Sequence, residues 1–170
     1  MIRISFLFLI FWSGLSLSAS HIGMTVDTFN QKWNDEVSDA AENFNFTLLD
    51  KVNITQGKVN RVAQIPLNDS NGIVMTVDKN SNNIKEVTSI FIRKNDDKAA
   101  ILGALYIDGI IMKIFSPEMS AEKRGTVIKN LVDEMANSDS RKSTFVAKKV
   151  TYRMLFSDGA GIWFIVSPNK

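Results

Sequence analysis

Apolar residues recur at two different periods along this chain, and the changes of period mark its elements. Val26, Phe29, Trp33, Val37 and Ala40 or Ala41 stand three or four residues apart, so they share one face of an α-helix. Thr25 occupies the place of an N-cap, and Asp27 suits the positive end of the helix dipole. The spacing predicts a helix over residues 26–42. From Phe44 the period shortens to two. Phe44, Phe46 and Leu48 alternate with polar neighbours, a strand pattern that Val52 and Ile54 extend after a kink. Val59 to Leu67, Ile73 to Val77 and Ile84 to Ile92 read as three more strands, the last with Thr88, Ile90 and Ile92 on one face. The stretches between them, residues 69–72 and 78–83, are rich in Asp, Asn, Ser and Gly, which favour turns.

Asn95, Asp96 and Asp97 then offer cap and first-turn residues to an apolar helix over Ala99–Phe115, whose only charges are Asp108 and Lys113. Ser116 and Pro117 suit the start of a second helix, and Val127, Ile128, Leu131, Val132 and Met135 carry its stripe to Asn137. A long β-branched and aromatic run from Thr144 to Phe156, a Gly-rich turn over 157–161 and a strand over Ile162–Val166 close the chain. The order α-β-β-β-β-α-α-β-β keeps strands and helices in separate runs. It predicts an α+β fold, an antiparallel sheet of about six strands packed against an N-terminal helix and a central αα-hairpin. Neither a Pro-, Gly- or Ser-rich linker nor an internal repeat divides residues 21–170, which form one domain.

Residues 1–20 carry a different pattern. Arg3 precedes an apolar run from Ile4 to Trp12, broken only by Ser5, and small residues around Ser18 and Ser20 follow. That is the order of a cleaved secretory signal, with cleavage near Ser20, and the run is too short for a membrane span. The expected destination is periplasmic or secreted, with no stable membrane span after cleavage.

Composition narrows the chemistry open to such a domain. The 170-residue chain has no Cys and one His. Disulfide frameworks, thiolate zinc sites and Cys nucleophiles are thereby excluded. His21, beside the cleavage region, is a poor place for a general base, so Ser-His-Asp and Cys-His catalysis are excluded as well. With 20 Lys and Arg against 18 Asp and Glu, the formal net charge is +2, without the basic surplus of a nucleic-acid binder. Asp78, Asn80 and Asn82 resemble the start of a calcium loop. Asn83 stands where that loop needs Gly, and Ser89 where it needs Glu, so a hairpin loop is expected. No cofactor and no metal is expected.

Three residues remain as a candidate binding surface. Asp108 interrupts an apolar helix. Its first reading places it with Lys113 on a narrow solvent-facing strip, and its second makes it a buried acid that orients a pocket or a partner. Lys149 and Arg153 share one face if they lie on one strand, a stripe suited to an acidic partner or to guarding an edge. Trp33 and Trp163 are both expected in the core. The resulting expectation is an exported, non-enzymatic module acting through protein–protein contact, of the inhibitor or immunity type. The alternative is a carrier of a small apolar ligand or lipid held between sheet and helix, for which Met75, Met112, Met119, Met135 and Met154 would give an adaptable lining. A carboxylate hydrolase using Asp108 ranks last.

Overall fold

The computed structural model describes residues 21–38, 41–44, 46, 48, 52–92 and 98–169. The signal-like residues 1–20 and the expected cap at Asn95–Asp97 lie outside them. Helix α1 spans Val26–Val37, and Thr25 caps it by accepting a hydrogen bond from the Thr28 N–H at 3.2 Å. The expected helix to residue 42 is therefore shorter. Ser38 ends it with its hydroxyl turned to the Asp35 carbonyl, a side-chain bond that competes with helix continuation. A single turn, α2 (Ala41–Phe44), follows.

The strand expected at Phe44–Leu48 is not one. Phe44 closes α2, and the Phe46 N–H returns to the Ala41 carbonyl. The alternation of Phe44 and Phe46 instead sets two rings 5.4 Å apart against Tyr106. Period two arises here from an aromatic cluster at a helix end.

The sheet has seven strands: β1 (Ile54–Gln56), β2 (Arg61–Pro66), β3 (Asn71–Val77), β4 (Ile84–Phe91), β5 (Lys142–Val146), β6 (Val150–Ser157) and β7 (Gly161–Pro168). They lie in the order β1-β2-β3-β4-β7-β6-β5, with every neighbouring pair antiparallel. The extra strand comes from the run 144–156, which folds back at Ala147–Lys149 into the β5–β6 hairpin. No Gly, Pro or Asn marks that turn. It is held from outside by Asn169, whose side chain donates to the Ala147 carbonyl at 2.8 Å. Asn71 and Gly72, expected in a turn, begin β3 because the Asn68 carboxamide oxygen draws the turn back, accepting from the N–H groups of Ser70 and Asn71.

Helices α3 (Lys98–Phe115) and α4 (Ala121–Asn137) form the expected αα-hairpin and carry the chain from β4 across to the far edge at β5. Ser120, not Ser116, caps α4, accepting from the Lys123 N–H. Ser116 is buried and shares a 2.8 Å hydrogen bond with the Tyr152 hydroxyl. Its polar group is committed to the core. The helices and one sheet face enclose a single core, in which Phe29 stacks on both Trp33 and Phe115 and Tyr152 stacks on Phe164. Strand alternation explains which face this is. Ala63 and Ile65, Ile73 and Met75, Val87, Phe164, Tyr152 and Met154 all point to it and are buried.

Candidate functional site

Asp108 lies in the middle of α3 and is 5% exposed. The first sequence reading, a solvent-facing strip shared with Lys113, is overturned. Five residues along a helix turn the side chain by about 140°, so the two project from different faces. Lys113 reaches outward to Glu36 of α1, Nζ to Oε2 at 2.5 Å. Asp108 faces the sheet, where the Ser89 hydroxyl donates to its Oδ1 at 2.5 Å. Burial pushes the Asp108 carboxyl up to about 7, and the Ser89 hydrogen bond works against that rise. No ion pair reaches Asp108 among the described residues, so only a hydroxyl offsets the cost of placing its charge there.

Beside this pair a cavity of about 120 Å³ separates α3 from the sheet. Phe91, Ile107, Met154, Ile162 and Phe164 form most of its apolar wall, and Asn71, Ser89 and Asp108 bring polar groups to it. Ser89 and Asn71 carried no separate signal at the level of motifs. The signal that does exist is phase: Ser89 alternates with Val87 and Phe91, so it belongs to the buried face of β4. Residues Thr88, Ile90 and Ile92, read from sequence as one face, are the opposite set.

That opposite face is covered by none of the described helices. Across it run two registered rows, Gly72–Ile90–Trp163–Leu155 and Val74–Thr88–Ile165–Arg153. Val74, Ile90, Trp163 and Leu155 are half-buried, and Ile92 at the end of β4 is exposed. Trp163 is therefore at the surface side of the sheet and not in the core, its indole N–H donating to the Ala160 carbonyl at 2.9 Å. Trp33 is in the core, as expected.

The three candidate surface residues do not come together. Asp108 is beneath the covered face. Arg153 is on the open face of β6 and pairs with Glu86 of β4 at 3.1 Å. Lys149 is exposed in the β5–β6 turn, off the strand, so it does not share a strand face with Arg153. Lys142, exposed on the edge strand β5, is a further cation on the open face, in register opposite Leu155.

The remaining candidates separate in space. Residues 78–83 form a hairpin loop, as expected. Asp78 Oδ1 accepts from the N–H groups of Asn80 and Ser81, and these bonds, with Lys85, hold its carboxyl down at about 2. Arg61 straps the loop, its guanidinium donating to the carbonyls of Asp78 and Ser81 and to Asn82 Oδ1. Glu118, Glu122, Asp133 and Glu134 are exposed, and Asp133 pairs with Lys129 one turn away. Among the described residues no three His, Cys, Asp or Glu side chains gather closely enough to hold a metal ion. No protein-family model matches this chain, and no curated protein or solved structure matches it either.

Proposed function

We propose that this protein is an exported, non-enzymatic binding module that docks a protein partner on the open face of its sheet, in the manner of an inhibitor or immunity protein. One observation carries the reading: the half-buried side chains of Ile90, Trp163 and Leu155 line up across β4, β7 and β6, with Val74 one row away on β3, on a face that none of the described helices covers. A sheet needs only one covered face to be stable, and polar residues usually occupy the other. Val74, Ile90, Trp163 and Leu155 depart from that habit, and Trp at the centre of such a patch is a frequent anchor of binding energy. Lys142 and Arg153 rim the patch on the β5–β6 side. The complementary partner presents an apolar ridge flanked by carboxylates. Export rests on the pattern of residues 1–20.

The test is co-purification from periplasmic extract with the wild-type chain and with an Ile90→Asp/Leu155→Asp variant, whose substitutions point away from the core. A stoichiometric protein captured by the wild type and lost from the folded variant supports the proposal. Capture that the variant leaves unchanged, or no stoichiometric partner, overturns it.

A further inference from the structure

We propose that the cavity between α3 and the sheet is a binding site for one small uncharged molecule, with an apolar body about the size of a benzene ring and an oxygen acceptor directed at Asp108. This site is on the opposite side of the sheet from the docking face, and either proposal can fail without the other.

Size comes first. The cavity measures about 120 Å³, of the same order as the roughly 150 Å³ apolar cavity that holds benzene, and it opens past Ile101, so a substituent on such a ring need not be fully enclosed. That volume is too small to enclose a whole acyl chain, so the occupant proposed is a small molecule and not a lipid. Lining comes second. A void left by imperfect packing should be bounded by apolar groups, and here Phe91, Ile107, Met154 and Phe164 supply them. Three polar side chains also bound it, each more than nine-tenths buried: Asp108 and Asn71 at 5% exposure and Ser89 at 7%. Such a pairing of apolar wall and a few placed polar groups is the usual constitution of a small-molecule site.

The polar groups also fix the chemistry of the occupant. Asn71 spends an amide hydrogen on Asn68 Oδ1, and Ser89 spends its hydroxyl on Asp108 Oδ1. In its neutral form the Asp108 carboxyl carries one proton, on Oδ2, and so presents a donor. An oxygen acceptor on the ligand receives it. A cation would have to lose its own hydration among these walls and ionise Asp108 as well, a double desolvation cost. Ile101, exposed at the surface of α3, also borders the cavity and gives a path inward.

The probes are benzyl alcohol, toluene and benzylammonium, titrated into the whole folded protein at pH 5.5 while methyl resonances of Met154, Ile107 and Ile162 are followed by NMR. Benzyl alcohol is expected to shift these methyls saturably and to bind about tenfold more tightly than toluene, the worth of one good hydrogen bond. Benzylammonium should bind more weakly than either. Asp108→Leu should remove the preference for the alcohol, and Ala104→Phe, which grows into the cavity, should remove binding of both. Absence of saturable shifts, equal affinity of the wild type for the alcohol and toluene, tightest binding of the cation, or shifts confined to residues of the open face would each overturn the assignment.

Discussion

Ser89 on strand β4 and Asp108 on helix α3 meet at 2.5 Å, hydroxyl donating to carboxyl, at the junction of the sheet with the helix that covers it. The pair is buried and no cation supports it among the described residues. Its protonation state therefore couples directly to stability.

Asp108 titrates near its ordinary 3.8 in the unfolded chain and at about 7 in the folded one. Between those values the folded state holds a proton that the unfolded state has released, so stability falls as pH rises from about 4 to about 7 and levels off above. At ~1.4 kcal/mol per pH unit the span amounts to about 4 kcal/mol. Asp78 acts in the opposite sense at the acid end. Its carboxyl is held at about 2 in the fold, so its contribution is present above 3.8 and is lost as pH falls towards about 2. Urea unfolding from pH 3 to 8 should peak near pH 4–5. Asp108→Asn should flatten the decline, gaining a few kcal/mol at pH 8 and changing little at pH 4. A decline that persists unaltered in the variant would show that Asp108 is not its source.

Tyr152 is fully buried, and its hydroxyl is paired with Ser116 at 2.8 Å. Burial pushes the phenol up to about 12. Of the two tyrosines, Tyr106 is the other, so a Tyr106→Phe variant isolates the signal. Its absorbance titration should show a phenol midpoint near 12, and a midpoint near 10 would refute the burial. Tyr152→Phe leaves the Ser116 hydroxyl buried without its partner and should cost about 1–3 kcal/mol in urea unfolding.

Two glycines of the β6–β7 turn give a contrast. Gly159 has φ +79° with open space where a Cβ would stand, and Gly161 has φ +82° with the Phe91 carbonyl oxygen 2.0 Å from that position. Gly159→Ala should cost about 1–2 kcal/mol, the left-handed backbone penalty alone. Gly161→Ala must also push β7 from β4 and should cost clearly more. Equal midpoints for the two variants in urea would contradict the close approach.

Arg153 and Glu86 form an exposed pair on the open face. Arg153→Ala should change stability by less than about 1 kcal/mol, as should Lys149→Ala in its exposed turn. Any larger effect of Arg153→Ala on partner capture, at unchanged denaturation midpoint, then reports on docking and not on folding.

Helices α3 and α4 were legible because long apolar stripes at period 3.6 have few rival explanations. Strands β3 and β4 were legible because β-branched residues stood between runs of turn formers. The β5–β6 hairpin was hidden because Ala147, Lys148 and Lys149 carry no turn chemistry, and the turn is fixed by Asn169, about twenty residues away in sequence. The apparent strand at Phe44–Leu48 was misleading because two rings gathering on Tyr106 produce the same alternation as a pleat.

The sequence by itself determined the class of fold, the segregation of helices from strands and the absence of thiol chemistry, since these depend on local periods and on residue counts. Which way Asp108 points was decided only by the tertiary structure. A single acid in an apolar helix satisfies the outer strip or the inner face equally well until the rotation of α3 on the sheet is set. That rotation follows from the packing of Ile107 and Ile111 into the core, and it delivers Asp108 to Ser89 and to the cavity. Strand register, opposite Ile90 and Leu155, put Trp163 on the open side of β7, because pairing register assigns each strand residue to one face or the other.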